Sequence, residues 1–162
     1  MERIGNGPCS VMIRHVTTPL GSATRFGGLS RSELMARIPR YGNKTTEMTM
    51  ARLVRANKLT GWRRHVDLPG KPDFAWPTER VALFVHGCFW HGHACGRNLE
   101  PKVNARWWRE KLAANKARDA RVRRKLRQRG WKVLTIWECQ LRRRPKACCK
   151  RIRRALAQPE YD

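Results

Sequence analysis

Residues 81–95 read VALFVHGCFWHGHAC and place three of the chain's five histidines and two of its six cysteines directly after an apolar run. Residues 81–85 are β-branched and aromatic enough to form a buried strand, so the metal-ligating and titratable side chains that follow emerge from the end of a sheet. Few structural needs explain that mixture. A metal site, a nucleic-acid wedge and a catalytic histidine all fit within it, and the rest of the chain has to decide between them.

The segment just before is read as a hairpin. Leu68 to Lys71 holds a Pro-Gly turn, residues 72–76 form a first strand, and Pro77-Thr78-Glu79-Arg80 is a four-residue loop leading into Val81. Symmetric pairing about that loop sets Asp73 opposite Phe84 and within a residue or so of Val85 and His86, although an aspartate at a strand start is also ordinary turn chemistry. Upstream, Ser30 and Glu33 have capping-box spacing before a short helix over 31–38. A second helix is predicted over 46–57 with Met48, Ala51 and Val54 on one face. Glu47 sits in its first turn, where a carboxylate favours the helix dipole with or without a further role. Residues 62–66 are compatible with a strand.

Downstream, 104–129 is the longest helical segment, with Asn104 as cap and Gly130 as stop. Steps of four and three put Trp108, Leu112, Asn115, Asp119, Val122 and Leu126 on one face. Asn115 and Asp119 interrupt an apolar stripe, and an unpaired buried polar group costs roughly 1 to 3 kcal/mol, so Asp119 is expected to face a polar site. Lys116, Arg123, Arg124 and Arg127 are assigned to the opposite face. Residues 132–138 form a strand ending at Cys139, and a last helix over 146–157 carries Cys148 and Cys149, at least one of which packs. The chain divides into a basic arm (1–28), a central domain (29–144) and a basic C-terminal helix and tail (145–162).

Composition narrows the partner. Within 162 residues, 36 lysines and arginines face 12 acidic residues, a formal charge of +24. Self-repulsion on that scale opposes compaction unless a polyanion answers it, and solubility alone needs far less. No run approaches the ~20 apolar residues of a membrane span and no apolar leader core is visible, so a cytosolic, monomeric nucleic-acid protein is expected, with no membrane partner. Cysteines there serve as thiols or metal ligands. Cys88, His93 and Cys95, with Cys139 from a neighbouring strand, make a Cys₃His zinc site; buried free cysteines are the simpler alternative. His86 and His91 are left over, and with Asp73 and Asp119 they suit a Mg²⁺ and proton-transfer cluster for phosphodiester hydrolysis. Phe89 and Trp90 either slide between bases or roof the zinc site.

Pro69-Gly70-Lys71-Pro72-Asp73-Phe74, the run from Phe84 to Cys95, Trp108 with Asn115 and Arg118-Asp119, and Gly130-Trp131 with Trp137-Glu138-Cys139 together resemble the very-short-patch-repair (Vsr) mismatch endonucleases. The resemblance covers about residues 30–144. It implies an α/β fold with a restriction-endonuclease-like core, a central mixed β-sheet flanked by helices, and a structural zinc. It also implies Mg²⁺-dependent nicking of double-stranded DNA 5′ to the thymine of a T:G mismatch arising from deaminated 5-methylcytosine. On this basis Asp73 binds Mg²⁺ with the Val85 backbone carbonyl, His86 and His91 are active-site histidines, and Asp119 and Glu47 are further acidic positions. Cys88, His93, Cys95 and Cys139 hold Zn²⁺. Phe89, Trp90 and Trp108 wedge into the duplex from the major groove, and Met35 enters from the minor groove. Mismatch-recognition proteins and a repair polymerase are the partners the family implies. Val85 stands where the family's reference member has threonine, which leaves a carbonyl role intact and removes any hydroxyl role. The readings that compete are a strand-specific nickase or restriction-type nuclease on matched DNA, and a non-catalytic zinc-stabilised DNA-binding module.

Overall fold

The order of elements in the computed structural model, which describes residue 43, residues 45–96 and residues 104–157, follows from where the apolar periodicities lie. Helix α1 is Glu47–Ala56, strand β1 Phe74–Trp76, strand β2 Val81–His86, helix α2 Ala105–Gln128 and strand β3 Lys132–Trp137. Short helix α3, Glu138–Arg143, and helix α4, Pro145–Ala157, complete it. All described residues belong to one unit, Pro39–Asp162. The N-terminal arm, the helix over 31–38 and Met35 lie outside the described residues.

Among the described residues the sheet has the order β1-β2-β3, with β1 antiparallel to β2 and β3 parallel to it. It is therefore a mixed sheet. All six residues of central β2 are buried, which is why its sequence reads as a continuous apolar run rather than an alternating one. The alternation is spatial instead. Val81, Leu83 and Val85 point into a core built with Met50 and Val54 of α1, Phe74 and Trp76 of β1, Ile136 of β3 and Ile152 of α4. Ala82 and Phe84 point the other way, onto Leu126 and Val122 of α2. Helices thus cover both faces, and His86, in step with Ala82 and Phe84, emerges on the α2 side. Trp76 is fully buried and its indole Nε1 donates to Thr60 O at 2.8 Å, so the largest core side chain is buried without an orphaned donor.

The hairpin forms about the predicted loop: Trp76 pairs with Val81 and Phe74 with Leu83, which carries Asp73 to the level of Phe84. The turn before it is closed by Lys71 N donating to Leu68 O at 2.8 Å. Gly70 has φ +77 there, and a Cβ would lie 2.4 Å from Val122 Cγ1, so α2 packs directly onto a position that only glycine can fill.

Four local expectations are corrected. Residues 62–66 make only an isolated bridge, Arg63 with Ala75, because the chain bends directly afterwards and His65 adopts a left-handed φ of 56 that no strand accommodates. On α1 the buried face carries Met50 rather than Met48, along with Glu47, Ala51 and Val54. Asn104 precedes α2 in a left-handed conformation and its side chain makes no capping bond. Cys139 lies in α3, which starts at Glu138 directly after β3. Both Cys148 and Cys149 are buried, at 2% exposure each, with Cys148 in the core that α4 shares with the sheet.

Candidate active site and metal centre

Where β2 and β3 end side by side, two clusters of ligating side chains meet. The parallel register sets His86 beside Trp137, and the loop 87–96 leaves β2 at that point.

The first cluster joins the sheet to α2. Asp73 Oδ2 accepts the backbone N–H of Val85 at 2.7 Å. Burial pushes the Asp73 carboxyl up to about 6; the Val85 N–H works against this, and the charge of Glu47 adds to it. Glu47 is itself buried and paired with Arg64. Opposite, His91 Nδ1 meets Asp119 Oδ2 at 2.5 Å, and His86 Nδ1 lies 4.0 Å from the same oxygen. The two imidazoles stack with ring centres 3.7 Å apart and 7° between planes. Burial, then the charge of His91, draws His86 down to about 4, so it is neutral at pH 7. Burial alone would raise Asp119, but the hydrogen bond and charge of His91 outweigh it, and its carboxyl lies below the usual range. The His86 Nδ1 atom is buried without a hydrogen-bond partner among the described residues. Arg123, expected on the outer face of α2, is half-buried against His86 and Asp119, because the helix turns slightly more of that flank towards the sheet than a single stripe implies.

The second cluster is Cys88, His93, Cys95 and Cys139, whose donor atoms all lie within 4.8 Å of one another. Cys139 Sγ is 3.5 Å from His93 Nδ1. In tetrahedral zinc sites with bonds of about 2.0 to 2.3 Å the donors are roughly 3.3 to 3.8 Å apart, so this set needs only a small contraction, and three thiols with one imidazole suit zinc. Asp73 fits a harder cation: it is a half-buried carboxylate near Glu47, one residue ahead of β1, and oxygen donors suit Mg²⁺.

Both polar residues in the α2 stripe serve the loop between these clusters. Asn115 Nδ2 donates to Trp90 O at 2.8 Å, and Asp119 holds His91. At Gly92, φ +57, a Cβ would meet Lys116 Cε at 2.6 Å, so Lys116 closes over the loop. Phe89, Trp90 and Trp108 form an aromatic group, with Phe89 centred 4.9 Å from each of the other two. Phe89 and Trp90 are half-buried, Trp108 is 2% exposed, and Trp107, packed edge-on against Trp108, is 38% exposed.

The sequence motifs include Trp137 but point to no role for it. Its indole stacks on His93 at 4.1 Å and 6° on one side and meets His86 and His91 edge-on at 5.4 and 6.3 Å. One ring therefore separates and aligns the two clusters. The available signal was its place as the last residue of β3, directly after β-branched Ile136 and two before Cys139. Arg64 was missed as well; nothing in its spacing points to Glu47.

The family profile described as DNA mismatch endonuclease Vsr matches residues 24–97. The type II nicking enzyme V.XorIIP of Xanthomonas oryzae pv. oryzae is 49% identical over 75 residues, 46% of this chain and 55% of that protein. DNA mismatch endonuclease Vsr of Escherichia coli is 40% identical over 100 residues, 62% of this chain and 64% of that protein. The type II nicking enzyme V.NmeDIP of Neisseria meningitidis serogroup C is 33% identical over 111 residues, 68% of this chain and 75% of that protein. This chain belongs to the Vsr family. The chain spans little more than half the length of the Xanthomonas relative and under two thirds of the E. coli one. The Vsr profile covers Asp73, His86, His91 and three of the four candidate zinc ligands, while Trp108, Asp119 and Cys139 lie beyond it.

Proposed function

We propose that this Vsr-family chain is a Mg²⁺-dependent DNA endonuclease, built on a restriction-endonuclease-like core, that nicks duplex DNA 5′ to the thymine of a T:G mismatch. The observation that carries the reading is that a half-buried carboxylate, Asp73, and a carboxylate-anchored histidine, His91, stand at the same end of the sheet in a chain of charge +24.

Asp73 and the Val85 carbonyl would hold Mg²⁺, and Cys88, His93, Cys95 and Cys139 would hold Zn²⁺. When bound, Mg²⁺ supplies charge stabilisation at the phosphoryl oxygens and a more acidic water, while zinc ties the loop 87–96 to α3. The remaining chemistry belongs to side chains. Asp119 accepts a hydrogen bond from the Nδ1–H of His91, which fixes the tautomer and leaves Nε2 free to accept a proton. Neutral His86 donates a hydrogen bond to the scissile phosphate without adding charge. Glu47 adds negative charge beside the Asp73 end, and Arg64 holds Glu47 in place while offsetting part of that charge. Phe89 and Trp90 enter the duplex beside the mismatch, and Trp108 backs them from α2.

The test compares T:G, C:G and T:A versions of one duplex. Nicking of T:G alone, dependent on Mg²⁺ and lost in Asp73→Ala with binding retained, is the expected result. Two of the relatives are named as nicking enzymes without mention of a mismatch; the second reading is a nickase acting on matched DNA, and equal nicking of all three duplexes would establish it instead. Tight binding with no nicking under any condition would leave a DNA-binding module.

A further inference from the structure

Beside the cysteine cluster lies a cavity of about 410 Å³ between α3 and α4. Its lining includes Arg143, Arg144, Arg151, Gln140 and the zinc-type residues Cys95 and Cys139, and no acidic residue. Arg151 is held in place: its guanidinium donates to Gln140 Oε1 at 3.1 Å and to Thr135 O, on β3, at 3.0 Å. Gln140 is fixed in turn by the Trp137 N–H, 3.3 Å from Oε1. Arg143 and Arg144 are exposed and pair with no carboxylate among the described residues.

Three guanidiniums around one concave surface repel one another unless an anion is present. The metal centre does not satisfy them: zinc on three thiolates and a neutral imidazole carries one net negative charge, which a single arginine offsets. Two guanidiniums remain, and each is a planar fork of donors that matches phosphate oxygens.

We infer that this cavity is a phosphate site, formed by Arg143, Arg144 and Arg151, that receives a backbone phosphodiester of duplex DNA away from the scissile bond. The inference rests on the nuclease reading and adds a second anchoring point to it. The site lies beside the loop that carries Phe89 and Trp90, so a duplex held there is fixed on the zinc side as well as at the histidines. A phosphate contact of this kind positions DNA without reading its sequence.

The experiment uses the full zinc-loaded chain and its Arg143→Gln/Arg144→Gln variant, with Arg52→Gln/Lys58→Gln as a charge-matched control. Duplex affinity is measured by fluorescence anisotropy over a series of KCl concentrations. Each phosphate that the protein no longer neutralises lowers the slope of log affinity against log salt by about 0.9. The cavity variant is expected to show a slope shallower by about one such unit and to bind T:G and matched duplexes more weakly by the same factor, with single-turnover nicking at saturating protein unchanged and zinc retained. An unchanged slope, an equal decrease in the control, or loss of zinc in the cavity variant would overturn the inference. So would stabilisation of the chain by inorganic phosphate with no change in the DNA slope, which would mark a free-anion site. A wild-type chain that bound no duplex would sink the nuclease reading too, whereas one that bound and nicked normally beside an unaffected variant would sink this inference alone.

Discussion

The two clusters either side of Trp137 are assembled in opposite ways. The histidine and carboxylate residues lean on regular structure: His86 at the end of β2, Asp119 in the middle of α2 and Asp73 one residue ahead of β1, with His91 contributed by the loop 87–96. Their hydrogen bonds are already made, at 2.7 Å to Asp73 and 2.5 Å to Asp119. The cysteine cluster takes three of its four members from the loop 87–96 and meets regular structure only at Cys139. Its donors are mutually close but hold one another weakly, since thiols are poor hydrogen-bonding partners. A preorganised polar cluster can bear a functional role with its fold intact, whereas a loop cluster of this kind would take its order from a bound metal.

That contrast sets the scale of the expected effects. Removing a thiol should be worst. Apparent zinc affinities in small structural sites amount to about 10 to 16 kcal/mol, so Cys88→Ser is expected to lose zinc, duplex binding and nicking together; a zinc-free variant with normal binding would show that the loop stands without the metal. Asp73→Asn should spare zinc and binding and reduce nicking by roughly 10³-fold or more, since metal stabilisation of the reacting phosphate is worth several kcal/mol. Asp119→Asn should lower kcat by roughly 10²-fold with KM unchanged, because His91 loses its fixed tautomer; an equal drop in duplex affinity would instead make Asp119 a DNA contact. Trp137→Leu tests whether the clusters are coupled at all. We expect zinc retained, kcat down by about tenfold and partial rescue by Trp137→Phe, while unchanged kcat in the leucine variant would show the two clusters to be independent.

The smallest effect is in pH. The folded-state pKa of Asp73, about 6, is raised above its unfolded value of 3.8. The stability this difference contributes is complete below 3.8 and lost as pH rises through 6, leaving an ionised buried carboxylate at a relative cost of about 3 kcal/mol near pH 8. If Asp73 holds Mg²⁺ as proposed, only its ionised form would do so, and added Mg²⁺ should raise the melting temperature by a few degrees at pH 8, by less at pH 5, and not at all in Asp73→Asn. A shift independent of pH would place the cation elsewhere.

Much of this was readable locally. The apolar run 81–85 announced a buried central strand, the four-residue loop set the hairpin register, and the steps of four and three along α2 picked out Trp108, Leu112, Asn115, Asp119, Val122 and Leu126, all of which face inward or are half-buried. Such features are written in the sequence because helical and strand periods act over neighbouring residues, and burial sorts side chains by polarity at each step. The misplaced strand at 62–66 and the choice of Met48 over Met50 arose where the local pattern was short enough for either solution.

Tertiary structure decided what converges. Only the parallel placement of β3 against β2 brings Trp137 beside His86 and Cys139 to the cysteines of the loop. Only the packing of α2 gives Asp119 to His91 at 2.5 Å rather than to His86 at 4.0 Å. The arginine cavity exists because α4 folds back onto α3, and no spacing within 138–157 declares it. Strand order, strand direction and helix docking depend on contacts between residues distant along the chain, so the candidate ligands of residues 81–95 could be recognised from sequence, but their partners could be paired only in three dimensions.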